Sequence, residues 1–326
     1  MGREKEVRMT PREIVRKTIR FENPERLAMT LREPYTNDMH YAGLVKSVDW
    51  RPRSGVDEWG AVWENIGVCN LGEVKEFPLK DWADLDKLNI PDPSEEWRWE
   101  GFADKVRAGG DKYIVSLGIS IYERLHFIRG LENTWVDIYE NREQLEGLLD
   151  ILRDMSLYYI KRYGTHGVDG YIFTDDWGLQ NSLMISPDLW REIWKPRYAE
   201  LFKACHDNGM DTLMHSCGYI IDILDDLIEI GLDVIQMDQQ QNMGLDNLSR
   251  FKGRITFYNP VDIQNTMAFG TTDEIRAYCH EMFQKLGSTK GGFIAKFYGD
   301  PIGAGHSEEA LEAMFSEFEK ISKTYF

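Results

Sequence analysis

Tyr171-Ile172-Phe173-Thr174-Asp175-Asp176-Trp177-Gly178 passes from a strand-forming run directly into paired carboxylates, an aromatic residue and a glycine. Ser186-Pro187 then opens a helical stretch that stops at Asn208-Gly209, and Thr212-Leu213-Met214 follows as a second apolar strand. A strand, a helical connection and another strand make parallel strands joined by a right-handed crossover. The same alternation continues outward. Upstream, 113–117 reads as a strand, with helices over 122–129, 135–139 and 142–163; downstream, a helix over 220–230 stops at Gly231. Strands are expected at 234–237, 255–258 and 293–297, each after a helix of matching length, with a last helix capped by Ser307. Near the N-terminus, Thr10-Pro11-Arg12-Glu13 is a capping box ahead of a helix, and 27–31 reads as a short buried strand. That makes seven strands, and an eighth is expected within the stretch that interrupts the rhythm. The fold class expected is α/β, a (β/α)8 TIM barrel in one domain over 1–326. No Gly-x-Gly-x-x-Gly follows any strand, which argues against a nucleotide-binding open sheet.

The interruption spans 55–110. Glu58-Trp59-Gly60-Ala61-Val62-Trp63-Glu64 and Ile66-Gly67-Val68 alternate like a β-hairpin with bends at Gly60 and Gly67, and short helices are expected at 82–88 and 97–108. The segment is expected to lie over the barrel as a lid or a structural cap.

Composition excludes several partners. A net charge of −17 opposes extended contact with a phosphate backbone or an anionic membrane. No apolar run is long enough to span a bilayer, and the opening Met1-Gly2-Arg3-Glu4-Lys5-Glu6 has no signal-peptide core. The cysteines at 69, 205, 217 and 279 have no disulfide-framework spacing, so a cytoplasmic location is expected.

Chemistry is expected at the C-terminal ends of the barrel strands. His215 and Cys217 stand two apart at the end of a strand, so they share a face and offer two ligand types that zinc accepts. The same spacing also suits a buried thiol beside a hydrogen-bonded ring. At neighbouring strand ends stand Asp175, Asp176, Gln236, Asp238, Asn259, Tyr298 and Asp300.

Gly167-Val168-Asp169-Gly170, Asp175 to Gln180, Ile185-Ser186-Pro187, Trp190, Lys195-Pro196-Arg197, His215-Ser216-Cys217-Gly218 and Gly231-Leu232-Asp233-Val234, taken in order, resemble the uroporphyrinogen decarboxylase superfamily. The N-terminal capping box, the Glu58-Trp59-Gly60 hairpin and the Gly291-Gly292-Phe293 strand extend that resemblance over nearly the whole chain. It implies one TIM barrel and offers two chemistries. The decarboxylases resemble one another in an Arg-Gln-Ala-Gly-Arg motif that holds a polycarboxylate tetrapyrrole. Leu31-Arg32-Glu33-Pro34-Tyr35-Thr36-Asn37-Asp38 stands there instead, and Glu33, Asp38, Asp175 and Asp176 would repel such a substrate.

The other branch is the corrinoid-dependent methyltransferases. In its thiol-methylating members zinc is held by a His-x-Cys pair and a second Cys after the Gly-Gly-aromatic strand. His215 and Cys217 match the pair, but 291–300 contains no Cys. Cys205 and Cys279 fall within helices and Cys69 in the excursion, which leaves Asp300, His306, Asp175 or Asp176 to complete a site, a carboxylate being favoured with Asp300 named. The resemblance implies methyl transfer from a small methoxylated, aromatic donor to a corrinoid carried by a partner protein. Catalytic roles are expected for Asp175, Asp176 and Tyr298, with Trp177, Gln180, Gln236 and Asn259 as pocket walls. Methyl transfer from methylcobamide to a thiol or folate, decarboxylation, and a non-catalytic tetrapyrrole- or corrinoid-binding barrel are the alternatives; the chain is expected to be a monomer or homodimer.

Overall fold

A computed structural model describes residues 8–45, 50–51, 54–65 and 72–326. Cys69 and the expected bend at Gly67 lie outside the described residues. In chain order the strands are β1 (Ala28–Thr30), β2 (Met39–Tyr41), β3 (Trp50–Arg51), β4 (Ser54–Val56), β5 (Val62–Asn65), β6 (Gly72–Glu76), β7 (Tyr113–Leu117), β8 (Gly170–Thr174), β9 (Asp211–His215), β10 (Val234–Gln236), β11 (Thr256–Asn259) and β12 (Phe293–Lys296). Eight of them form one parallel sheet in the order β1-β12-β11-β10-β9-β8-β7-β2, which curls into a nearly closed (β/α)8 barrel. Between β1 and β2 the seam holds one antiparallel bridge, Thr30 to Asn37, in place of a ladder.

The eighth strand is β2, ahead of the excursion instead of inside it. It is only three residues long and half polar, and its pairing with β7 sets it in place. Asp38, just before it, is buried against Arg26 and accepts the amide of Met29 at 2.9 Å. That carboxylate is therefore committed to the fold and contributes little repulsion at the mouth, contrary to the sequence expectation.

Strand side chains alternate between two cores. Tyr113, Val115, Ile172, Leu213, Val234 and Ile294 fill the barrel interior, and Ile14, Val15 and Ile19 of the helix Pro11–Ile19 pack beneath them. That helix crosses the N-terminal ends of the strands. Arg12 and Arg16 reach Asp169 at 3.0 and 2.6 Å, and the Thr18 carbonyl accepts the Gly292 amide at 2.9 Å. Closing this end leaves the opposite, C-terminal end as the open mouth. Outward-facing residues such as Tyr171, Phe173 and Met214 meet the surrounding helices.

Three expected helices are revised. The stretch 186–208 divides into Pro187–Ile193 and Lys195–Asp207, because Pro196 has no amide to donate to the preceding turn. The stretch 97–108 divides at Gly101, whose positive φ of 65° ends one turn and begins the helix Phe102–Ala108. Before β11 there is only the short helix Leu245–Leu248 between 3-10 turns.

The excursion is larger than a hairpin. Strands β3 to β6 make a four-stranded antiparallel sheet, with Gly60 bending at a φ of +91°. The Trp63 ring meets Phe127 edge-on at 4.7 Å, which seats this sheet on the helix Glu123–Arg129 beside the mouth.

Candidate metal centre at the barrel mouth

Asp176, His215 and Cys217 converge at the ends of β8 and β9, with their ligand atoms all within 4.8 Å of one another. His215 Nε2 is 3.4 Å from Asp176 Oδ1 and 3.4 Å from Cys217 Sγ. In a tetrahedral zinc site, bonds of about 2.0–2.3 Å place neighbouring donor atoms roughly 3.3–3.8 Å apart. The carboxylate, imidazole and thiol therefore fit zinc in type, and both spacings from the imidazole fall within that range. With three donors from the chain, a further coordination position is left for a reacting molecule.

The local sequence accounts for this convergence. The loops leaving β8 and β9 are sewn together by Gly178 N to Cys217 O at 3.1 Å and Tyr219 N to Leu179 O at 2.7 Å. They pass so closely that a Cβ on Gly218, at φ +77°, would stand 2.2 Å from the Gly178 carbonyl oxygen. A Cβ on Gly178 would stand 2.3 Å from the Tyr219 nitrogen. The Cys217 amide donates to Asp176 Oδ1 at 2.7 Å, fixing the carboxylate that faces the histidine.

The imidazole is oriented from behind. Gln236 donates through Nε2 to Asp238 at 2.7 Å, and Asp238 pairs with Lys296 at 3.0 Å. The amide oxygen of Gln236 is thereby turned toward His215 Nδ1, which donates to it and leaves Nε2 directed at Asp176 and Cys217. Burial opposes charging of the ring, but the neighbouring Asp176 and Cys217 raise the His215 pKa well above its ordinary value. Burial pushes the Cys217 thiol up, with His215 pulling the other way. The cluster as a whole favours positive charge in its midst, as a cation site must.

The adjacent acids separate in role. Asp175 is fully buried and accepts the amides of Ile121, Tyr122 and Glu123 at 3.1, 2.9 and 2.9 Å and the Tyr198 hydroxyl at 2.6 Å. Those bonds tie the β7 exit loop to the surrounding helices. Its side chain holds structure while Asp176 faces the cluster.

The other expected residues are dispersed. Trp177 is fully buried and stacked on Tyr122 at 3.8 Å, so its ring belongs to the outer core. Gln180 is exposed and accepts from Asn242 at 3.1 Å. Asn259 is fully buried at the end of β11, and neither polar atom of its side chain has a partner among the described residues. Asp300 receives the Gly303 amide of its own loop at 3.0 Å, apart from the metal-type cluster. His306 is engaged with the Ile263 carbonyl at 2.9 Å. Tyr298 is partly buried beside Asp300, and burial, with Asp238 and Cys217 adding to it, raises its hydroxyl pKa. Cys205 and Cys279 are buried in their helices.

Besides a cavity of about 350 Å³ at Tyr298 and Asp300, two others open among the described residues at the mouth. A smaller one of about 260 Å³ includes Gln236, Lys296 and Tyr258; a larger one of about 720 Å³ lies between the barrel and the excursion. Thr174, which pairs in register with His215, lines the larger cavity beside Glu123 and Arg124. Burial, then Asp176 and Asp175, push the Glu123 carboxyl up to about 8. Sequence reasoning missed Glu123 and Arg124. Their signal was available: they follow the exit of β7, the same kind of position that drew notice to Asp175 and His215.

Among the described residues no helix is long and apolar enough to cross a membrane. Comparison with curated proteins gives no match. Among solved structures, a methyltransferase from Methanosarcina mazei aligns with a TM-score of 0.69 at 15% identity, covering 96% of this chain and 99% of that one. Xylanase 10B from Thermotoga maritima aligns at a TM-score of 0.45 and 11% identity, over 72% of this chain and 83% of that one. A B12-independent methionine synthase from Shewanella sp. W3-18-1 aligns at 0.44 and 13% identity, over 67% and 66%. The model of the uroporphyrinogen decarboxylase (URO-D) family matches residues 72–321, which hold six of the eight barrel strands and both loops that form the cluster, and the chain belongs to that family.

Proposed function

We propose that this protein is a corrinoid-dependent methyltransferase that takes a methyl group from a small methoxylated, aromatic compound and passes it to the cobalt of a corrinoid on a separate partner protein. The observation that carries this reading is the mixed carboxylate, imidazole and thiol set of Asp176, His215 and Cys217 beside an aromatic-walled cavity. Breaking a methyl–oxygen bond is limited by the leaving oxygen, which needs a Lewis acid or a proton as it gains charge. Zinc held by these residues would supply the Lewis acid. A carboxylate gives a bound ion less electron density than a second thiolate would, so Asp176 favours ether activation over thiol activation. Gln236 holds His215 in the tautomer that ligation needs, and the Cys217 amide holds Asp176 in position. Tyr298, in the loop that leaves β12 beside Asp300, is the proton donor we assign to the mouth.

Charge at the mouth opposes decarboxylation of a polycarboxylate tetrapyrrole. Among the described residues, the cations lining the mouth cavities of about 720 and 260 Å³, Arg124 and Lys296, are each paired already, with Asp57 and Asp238 at 3.0 Å. Arg32, in the stretch that replaces the arginine-rich motif, pairs with Glu308 on the surface.

The test is to incubate the zinc-loaded protein with reduced cobalamin and a panel of methoxyarenes and to follow methylcobalamin in the visible spectrum. Product from an ether supports the proposal. Consumption of added methylcobalamin by a thiol, with no reaction of any ether, would replace it with thiol methylation; a spectral shift without turnover would leave a binding barrel.

A further inference from the structure

The larger cavity contains none of the pocket walls expected from sequence, yet it adjoins the cluster through Thr174 and has a consistent chemistry of its own. Its far wall comes from the excursion, where Asp57 acts as a latch. Asp57 accepts Arg124 Nη1 at 3.0 Å, Trp63 Nε1 at 3.1 Å and the Trp59 amide at 3.0 Å. Trp59, Trp63 and Phe127 supply ring surface, and Arg124 lies over Trp59 and Phe127 at 5.5 and 5.2 Å from their centroids.

Three features define the ligand class. First, among the described residues that line the space no cation is left free for an anion: Asp57 holds Arg124, Glu58 is paired with Arg98, and the raised Glu123 carboxyl is neutral at neutral pH, so a carboxylate-bearing ligand would lose its hydration with no counter-charge to replace it. Second, that guanidinium already stands 5.5 and 5.2 Å from the Trp59 and Phe127 centroids, so a quaternary ammonium drawn to those rings meets a cation already in place. Third, Arg124 has donors to spare. Nη1 is engaged by Asp57 and Nε is buried, which leaves Nη2, without a hydrogen bond among the described residues, as the donor for the cavity. A guanidinium so placed can donate to a neutral oxygen. At about 720 Å³ the space holds a compound of one or two rings.

We propose that this cavity is the donor subsite and that it selects uncharged methoxyarenes, with Trp59, Trp63 and Phe127 walling the ring and Arg124 hydrogen-bonding its oxygen. The inference rests on the methyltransferase reading for its biological sense, but its test is a binding measurement. Calorimetric titration of the full zinc-loaded chain uses guaiacol as the neutral probe, 4-methoxybenzoate as the anionic one and choline as the cationic one. Guaiacol is expected to bind at least about tenfold tighter than either charged probe. Arg124→Met and Trp63→Ala are each expected to weaken guaiacol by about tenfold with the circular dichroism spectrum unchanged. Should either variant misfold, Trp63→Phe serves instead, with loss of guaiacol-induced quenching of tryptophan fluorescence as the expected result. Equal or tighter binding of a charged probe, no binding of guaiacol, or variants that bind it unchanged would overturn the subsite. Failure of the two ideas is distinguishable. Guaiacol bound here without methyl transfer refutes the reaction and keeps the subsite; methyl transfer with KM unchanged in both variants refutes the subsite and keeps the reaction.

Discussion

His215, at the end of β9, and Asp176, in the loop that leaves the neighbouring β8, bring Nε2 and Oδ1 to 3.4 Å, while Asp175, one residue earlier, turns its carboxylate to the amides of Ile121, Tyr122 and Glu123. Two adjacent acids thus serve different links of the chain from sequence to function. Asp176→Asn should lower zinc affinity by about 10–100-fold with little change in stability. Asp175→Asn should do the reverse, costing about 2–4 kcal/mol because its amide nitrogen would face buried donors. Metal analysis by mass spectrometry and urea unfolding of both variants check the pair.

Among the described residues, the Gln236 side chain is hydrogen-bonded to the cluster through His215. Gln236→Leu removes the acceptor that fixes the imidazole tautomer and leaves all three ligand side chains in place. Zinc affinity is expected to fall by about tenfold or more, measured by competition with a chromophoric chelator. Asp300→Ala, in a side chain that serves its own loop, is expected to leave zinc affinity unchanged.

The β8–β9 seam depends on the absence of a side chain at Gly218. Gly218→Ala combines a left-handed backbone with a collision against the Gly178 carbonyl and should cost about 2–4 kcal/mol. The same variant should lose zinc, since the displaced loops carry both Asp176 and Cys217. Differential scanning calorimetry with metal analysis of the same samples tests both parts.

Away from the mouth, His206 Nε2 is 2.7 Å from Asp233, whose hydrogen bond, against partial burial, raises the His206 pKa above 6.5. A folded-state pKa above the unfolded value means that the folded protein binds the proton more tightly. The contribution is fully present below pH 6.5 and is lost as pH rises through the raised value. The stability difference between the natural protein and His206→Gln should therefore be largest in mild acid and shrink toward alkaline pH. A difference that grows with pH would contradict the pairing; urea midpoints across that range decide it.

Much of the barrel was legible because its strands are apolar runs that end in polar turns. Strand β2 was not, since Met39-His40-Tyr41 has no periodicity of its own and owes its place to β7 and to the Arg26–Asp38 pair. The His215–Cys217 pair could be read from its two-residue spacing on a strand. Which acid joins it could not, because Asp176 and Asp300 are equally polar in sequence and only the approach of Gly178 to Gly218 brings the first across. Trp177 read as a platform for a ligand because it follows two acids; Tyr122, some fifty residues earlier in the chain, claims its face instead. Glu123 and Arg124 look like ordinary surface-helix charges until the excursion folds over them.

The central claim is that the Asp176, His215 and Cys217 cluster performs metal-dependent methyl transfer. The direct measurement removes zinc with a chelator, restores it stoichiometrically, and follows methylcobalamin formation from a methoxyarene and reduced cobalamin, in the natural protein and in Cys217→Ala. The account predicts that turnover disappears with the metal, returns with about one equivalent of zinc, and does not return in the variant. Full turnover by the zinc-free protein, or undiminished turnover by Cys217→Ala, would contradict it.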